Sequence, residues 1–222
     1  MKPEKVNFDN LSAEQAGKLF PIRIVPYNPD WQTLFEHEKT LLAEALGKDI
    51  VLHIEHIGST SVEGLAAKPT IDIIVEVADL SFGAKQVIIA KMKTVGYENM
   101  CNAETENRMT FGKGYDENHV ETQTYHVHIR EKGQTPQDEI CFRDYLRQHS
   151  GMRDEYAALK YVLAEKHQFN REDYTQAKTG FITKITERQK KKQMNEIESD
   201  QKNVVGICTE FHTLLKFSKR KR

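Results

Sequence analysis

The stretch IEHIGSTSVEGLAAKPTIDIIV, residues 54–75, places a Gly-Ser turn between two segments rich in β-branched side chains. In the second segment, Thr70–Val77, an apolar wall alternates with a face that carries Asp72. This period of two predicts a core strand with one apolar face and one face that carries an ionisable side chain. The β-rich run at 50–57 predicts the strand before it, and residues 58–61 predict the connecting turn.

Helical patterns surround these strands. Apolar residues at three- and four-residue steps predict a helix at 29–46, which Gly47 ends, and a covering helix at 82–95. Further predicted elements are strands at 97–100, 108–113 and 122–130, and helices that start at Thr135, span 152–167 and follow a cap at Asn170. Strands first and helices last predict an α+β domain with a mixed sheet.

We expect this single domain to occupy residues 1–192, with its helical part beginning near residue 136. The polar run NEIESDQKN then changes the character of the chain. Residues 193–222 are predicted to form this linker and a short C-terminal helical extension, because their apolar residues recur at helical steps.

Composition narrows the possible partners. The 222 residues carry 32 basic and 33 acidic side chains, a formal net charge of −1, which argues against a general nucleic-acid-binding surface. No apolar run approaches the roughly 20 residues of a membrane span, and the first thirty residues lack a signal peptide's apolar stretch. The expectation is a cytoplasmic protein with a small-molecule partner. Three widely spaced cysteines without a CxxC predict reduced thiols: Cys101, Cys141 and Cys208.

Asp72 is the central candidate of the predicted site. An ionisable side chain among β-branched neighbours loses hydration unless it faces a cleft, a metal ion or a hydrogen-bond donor. Carboxylates suit the Mg²⁺ or Mn²⁺ ions that accompany nucleotide phosphates. Position i+2 is Ile74, and Glu76 lies about 13 Å along the strand, too far to share a metal ion. Glu55 is therefore the nearest candidate for a second carboxylate ligand.

The turn is the candidate phosphate site. A strand, a Gly-Ser turn and a strand that begins with an acidic residue are typical of nucleotidyltransferases. Backbone N–H groups and the Ser59 hydroxyl can donate hydrogen bonds to phosphate oxygens. The alternative is an ordinary structural turn. The predicted phosphate-binding residues of the turn are Gly58, Ser59, Thr60 and Ser61.

Two histidines in the run YHVHI complete the candidate set. His126 and His128 lie on one strand face, separated by about 6.5 to 7 Å of rise. They can converge on a metal ion, or His128 can act as a catalytic base; the alternative is two partly exposed histidines. Basic residues predicted to neutralise phosphate are Lys68, Arg108, Lys113 and Arg143. Arg143 could equally pair with a carboxylate inside the domain.

These residues belong to a wider pattern. The segments VPYNPDW, RMTFGK, TYHVHI, FRDYLRQH and YAALKYVLAE, with the stretch quoted first, span about residues 23–190 and together resemble the GrpB family of the nucleotidyltransferase superfamily. The resemblance implies a nucleotidyltransferase-like mixed sheet followed by a helical C-terminal part. It also implies phosphate-proximal residues at Gly58 and Ser59 and the first metal carboxylate at Asp72. The superfamily's second carboxylate falls on Ile74, which cannot bind a metal ion.

The sequence pattern is consistent with three functions. The leading hypothesis is transfer of a nucleotidyl group from a nucleoside triphosphate to an unknown small acceptor, with a divalent metal ion at Asp72 helped by Glu55 or His128. Ile74 motivates a second, a nucleotide- or phosphometabolite-binding protein without catalysis. A histidine-based metal hydrolase built on His126 and His128 is the third. The family also occurs joined to dephospho-coenzyme A kinases, but this chain has no GxxxxGK[ST] loop to cradle phosphates.

Overall fold

The computed structural model describes residues 12–100, 104–115, 123–134 and 137–192. Its strands are β1 Val51–Ile57, β2 Thr70–Val77, β3 Glu98–Asn99, β4 Arg108–Lys113 and β5 Thr124–Glu131. Its helices are α1 Ala13–Leu19, α2 Asp30–Leu46, α3 Phe82–Thr94, α4 Gln137–Gln148, α5 Ser150–Lys166 and α6, residues 171–192. All these elements except α1 were predicted from sequence, and each predicted boundary lies within two residues of the observed one. The predicted start at Thr135, the extension at 193–222, Cys101 and Cys208 lie outside the described residues.

The five strands form one mixed sheet in the order β1-β2-β5-β4-β3. β2 and β5 run parallel in the middle, and the other neighbouring strands are antiparallel. The parallel pairing sets Asp72 beside His126 and Ile74 beside His128. Because side chains alternate along a strand, these four residues share one face of the sheet. Residues that the chain separates by more than fifty positions are therefore neighbours.

The opposite face of the sheet carries the main hydrophobic core. The α2 residues that meet it recur at steps of four and seven, so one stripe of the helix faces the strands. Gly47 ends this helix with φ 90°, a left-handed conformation that glycine adopts without steric cost. Core residues from the sheet, α2 and α3 include Ile71, Ile73, Val75, Val127, Ile129, Trp31, Phe35, Leu42, Leu46, Ile88 and Met92.

The chain divides into two compact units, Met1–Gly180 and Phe181–Arg222. The first contains the whole sheet and every candidate site residue. The described part of the second, residues 181–192, is helical. The predicted domain end at residue 192 coincides with the end of the described residues and stays a prediction. Among the helices in the described ranges, none combines the length and apolar content that crossing a bilayer requires.

Candidate functional site

Asp72, His126 and His128 converge on the face opposite the core. One Asp72 oxygen, Oδ1, lies 3.2 Å from His126 Nδ1 and 3.7 Å from His128 Nε2. One ligand atom from each residue lies within 4.8 Å of those of the other two, which is close enough for the three to hold one metal ion. Each side chain stays partly accessible, so a ligand can reach the group from solvent.

The protonation states of this group suit a metal ion. Partial burial alone would raise the pKa of Asp72, but the hydrogen bond with His126 and the electrostatic attraction of His126 and His128 outweigh it and hold that pKa well below its usual range. Burial lowers the pKa of His126, against the attraction of Asp72. The site therefore presents a charged carboxylate and a neutral imidazole, the forms in which both residues bind metals.

Tyr115 fixes the orientation of His126. Its hydroxyl forms a short hydrogen bond with Nε2 of His126, the nitrogen on the far side of the ring from Asp72. The two rings are also stacked, with centroids 5.7 Å apart. An outer partner of this kind selects the tautomer of a metal-binding histidine. Tyr115 was not predicted from sequence, because it lies between the predicted strands at 108–113 and 122–130 and belongs to neither.

Gly58 lies directly against the Asp72 carboxylate. Its φ of 71° is in the left-handed region, and a Cβ atom built on it would lie 2.5 Å from Oδ2 of Asp72. A side chain at this position would displace the carboxylate. Gly58 was predicted for its closeness to phosphate, and the structure gives it a second role as the wall of the Asp72 site.

The turn hydroxyls differ in their availability. The Thr60 hydroxyl donates to the Thr70 carbonyl at 3.0 Å and lies 3.1 Å from Nε2 of the buried His56. Ser61 Oγ donates to the Gly58 carbonyl at 2.6 Å. These two hydroxyls hold the turn together, so the prediction that they bind phosphate has no support from their geometry. Ser59 is half-buried and shares a hydrogen bond with the Tyr156 hydroxyl.

Glu55 and Arg143 form an ion pair away from Asp72. Arg143 Nη1 donates to Glu55 Oε1 at 2.7 Å and to the His56 carbonyl at 2.9 Å, which ties α4 to β1. Glu55 is not part of the cluster around Asp72, and the register sets it beside Ile74. The alternative role considered for Arg143, pairing with an internal carboxylate, is the one that the structure shows.

We expect Arg143→Leu to lower the free energy of unfolding by about 2 kcal/mol. The change removes three hydrogen bonds of a charged donor, one of them to Asp144, and leaves the Glu55 carboxylate and the buried carbonyl of His56 without it. Urea denaturation followed by circular dichroism measures this loss. Arg108→Leu, on the exposed start of β4, is the control and should change stability by less than about 0.5 kcal/mol. Equal stability of the two variants would contradict the structural role of the pair.

The remaining basic candidates lie in three different places. Lys113 points to the core face, where it forms a 2.6 Å ion pair with the buried Glu38, so it does not reach the site. Arg108 is exposed at the start of β4, on the site face beside Arg130. Lys68 precedes β2 and places its ammonium group 5.7 Å from the centre of the Tyr174 ring. Of the predicted basic residues, Lys68 is thus the one whose pKa responds to Asp72: burial lowers this pKa, and the charge of Asp72 partly opposes the change.

A carboxylate that the sequence did not single out also interacts with the cluster. Glu139, in the first turn of α4, interacts electrostatically with His128 and Asp72. Loss of hydration raises its pKa, and the Asp72 charge adds to this, while His128 acts in the opposite direction. It is an acidic group near the site that does not come from the sheet. Nothing in the sequence distinguishes it from the acidic residues common in the first turn of helices.

Comparison with known proteins identifies the family. The "GrpB protein" family model matches residues 21–188, so the chain belongs to the GrpB family. UPF0157 protein YqkA of Bacillus subtilis is 36% identical over 171 residues, which cover 77% of this chain and 48% of YqkA. Glutamate-rich protein GrpB of Alkalihalophilus pseudofirmus is 34% identical over 163 residues, 73% of this chain and 92% of that protein.

A solved structure agrees with this assignment. The crystal structure of conserved protein GrpB from Enterococcus faecalis superimposes with a TM-score of 0.66 at 33% identity, covering 78% of this chain and 99% of that one. The predicted α+β class, a mixed sheet followed by a helical C-terminal part, is confirmed. This chain spans about half the length of YqkA. The names of these two relatives and of the solved structure state no reaction, so we infer the reaction of this chain from its own site.

Proposed function

We propose that the protein binds a nucleoside triphosphate together with a divalent metal ion and transfers its nucleotidyl group to a small acceptor. The observation that carries the proposal is the convergence of Asp72, His126 and His128 beside the turn at Gly58. A charged carboxylate next to a glycine-lined turn provides a place for the metal ion and, beside it, a place for phosphate.

The donor set refines the cofactor prediction. Asp72, His126 and His128 would hold the ion with one oxygen and two nitrogen donors. Mg²⁺ prefers oxygen ligands, whereas imidazole suits first-row transition metals such as Fe²⁺ and Zn²⁺, the series to which Mn²⁺ belongs. Of the two predicted ions, Mn²⁺ fits these residues better. When bound, such an ion supplies Lewis-acid neutralisation of phosphoryl oxygens.

The surrounding residues of the chain have distinct tasks. Backbone N–H groups of the turn and the Ser59 hydroxyl orient the phosphates, and Lys68 neutralises them. Glu139 has a raised pKa and interacts with His128 and Asp72, so it is suited to accept the proton of an acceptor hydroxyl. Glu139 would thus add a second acidic group to the site, which the apolar and fully buried Ile74 does not supply.

The test combines binding with product release. We expect ATP or GTP to bind in the presence of Mn²⁺ at least about tenfold more tightly than with Mg²⁺ alone, because of the imidazole donors. Isothermal titration calorimetry measures the affinity, and an enzyme-coupled assay measures pyrophosphate released in the presence of a panel of small hydroxyl and amine acceptors. Metal-dependent binding without pyrophosphate release would instead identify the nucleotide-binding protein that Ile74 suggests.

The same donor set favours one other function. One carboxylate and two histidines also occur in metal sites that activate water, as in a metal-dependent phosphoesterase. Such an enzyme would release inorganic phosphate or a nucleotide from a phosphoester without an acceptor. Incubation with ATP and with p-nitrophenyl phosphate, in Mn²⁺ or Zn²⁺, therefore separates hydrolysis from transfer.

A further inference from the structure

Four cations lie against three tyrosine rings next to the Asp72 cluster. Lys68 and Lys178 place their ammonium groups 5.7 and 4.3 Å from the centre of the Tyr174 ring. Lys160 of α5 lies 4.8 Å from the Tyr156 ring and donates a short hydrogen bond to the Ala66 carbonyl. The fourth cation, Arg171 of α6, lies 5.8 Å from the ring of Tyr115. We call Lys68, Lys160, Arg171 and Lys178 the cation cluster.

The cation cluster has no carboxylate of its own. Within the described ranges, no acidic side chain lies at ion-pair distance from any of the four. The Nε atom of Arg171 is buried without a hydrogen-bond partner, and Lys160 is only 2% exposed. Burying unpaired cations costs free energy. Lys160 is buried and the other three cations are partly buried, so a bound anion would offset this cost.

The pKa values of the three lysines are consistent with this cost. Loss of hydration and mutual repulsion lower the pKa of Lys68 to about 8 and the pKa of Lys160 to about 7. Burial also lowers the pKa of Lys178, and the one acidic residue that opposes the shift in Lys68 and Lys178 is Asp72. The cation cluster therefore lacks negative charge and lies close to the site where a phosphorylated ligand is proposed.

Contacts connect the cation cluster to the site. Tyr115 lies between Arg171 and His126, since it contacts the guanidinium with its ring and Nε2 of the imidazole with its hydroxyl. Tyr156 lies between Lys160 and Ser59 in the same way. A chain of phosphates that begins at the turn would therefore extend towards the cation cluster.

We propose that Lys68, Lys160, Arg171 and Lys178 form a binding site for the outer phosphates of a polyphosphate chain. Lysine and arginine are the side chains that bind phosphate most strongly, and a low local dielectric strengthens each contact. The identity of the ligand as the tail of a nucleoside triphosphate rests on the proposed function. The anion site itself is independent of metal binding and of group transfer.

The test uses inorganic triphosphate with the full chain in EDTA, so that no metal ion contributes. We expect triphosphate to bind the wild-type protein and to raise its melting temperature, whereas inorganic monophosphate binds at least about tenfold more weakly because it meets fewer cations. Lys178→Met should weaken triphosphate binding at least about tenfold. Lys166→Met, on the exposed side of α5, is the matched control and should bind as the wild type does.

A second readout excludes a folding defect. Because Lys178 is an unpaired, partly buried cation, Lys178→Met should melt at the same temperature as the ligand-free wild type or higher. Lys68→Met should show the same loss of triphosphate binding. Unchanged binding in both variants, or wild-type protein that binds no triphosphate at millimolar concentration, would overturn the anion site. Triphosphate binding in EDTA without any nucleotidyl transfer would uphold the site and refute only the proposed reaction.

Discussion

Asp72→Asn is expected to weaken Mn²⁺ binding more than about 100-fold and to remove metal-dependent nucleotide binding with it, since losing a metal ligand costs at least as much as losing an outer partner. Asp72 supplies the only negative charge among the three converging donors, and an amide oxygen is a much poorer ligand. The side chain keeps its shape, so Gly58 and the histidines need not move. Calorimetric titration with Mn²⁺, followed by ATP, measures both losses.

Glu76→Gln provides the matched control for this prediction. Glu76 lies on the same strand and the same face as Asp72 but outside the metal-binding group. Its loss of charge should leave Mn²⁺ affinity within about threefold of the wild type, because charges a Debye length apart are largely screened. Circular dichroism confirms that each variant is folded. Wild-type Mn²⁺ affinity in Asp72→Asn would refute the metal site and with it the proposed transfer.

The alternation in β2 explains why Asp72 could be found from sequence. Ile71, Ile73, Val75 and Val77 are buried on the core face, as the period of two predicts, and Asp72 points the other way. Ile74 is the exception, because it lies on the site face and is nevertheless fully buried. A sequence pattern shows which face a side chain occupies but not what covers that face.

The pairing between strands that are distant along the chain could not be predicted from the sequence. His126 and His128 were expected to share a face, but only the parallel register of β2 and β5 puts them beside Asp72 and Ile74. His128 thus occupies the neighbourhood where a second carboxylate was sought. Glu55 was chosen for its nearness along the chain, and its partner Arg143 comes from a helix 88 residues away. Tertiary contacts at that separation leave no local signal.

The sequence did contain the information that excludes Lys113 from the site face of the sheet. In RMTFGK, Met109 and Phe111 are apolar at alternate positions and are both fully buried. Lys113 has the same parity, so alternation alone places it on the core face with them. The cation cluster offered no such signal. Lys160 and Lys178 resemble the solvated lysines of any amphipathic helix, and only the tertiary fold places them against the rings of Tyr156 and Tyr174.

Gly58→Ala is expected to reduce Mn²⁺ affinity at least about tenfold and to destabilise the fold by about 1 to 3 kcal/mol. The stability loss comes from the backbone, because a φ of 71° is costly for any residue with a Cβ atom. The affinity loss has a separate cause: the new methyl group would lie 2.5 Å from Oδ2 of Asp72 and must push the carboxylate away from the imidazoles.

Gly96→Ala separates these two causes. Gly96 has a similar φ of 87°, but a Cβ atom there would meet nothing within 4 Å. It should therefore lose a comparable free energy of unfolding in urea and still bind Mn²⁺ as the wild type does. If both alanine variants lose metal affinity alike, general destabilisation explains the effect. If only Gly58→Ala loses it, the narrow space between the turn and Asp72 is what holds the carboxylate in its metal-binding position.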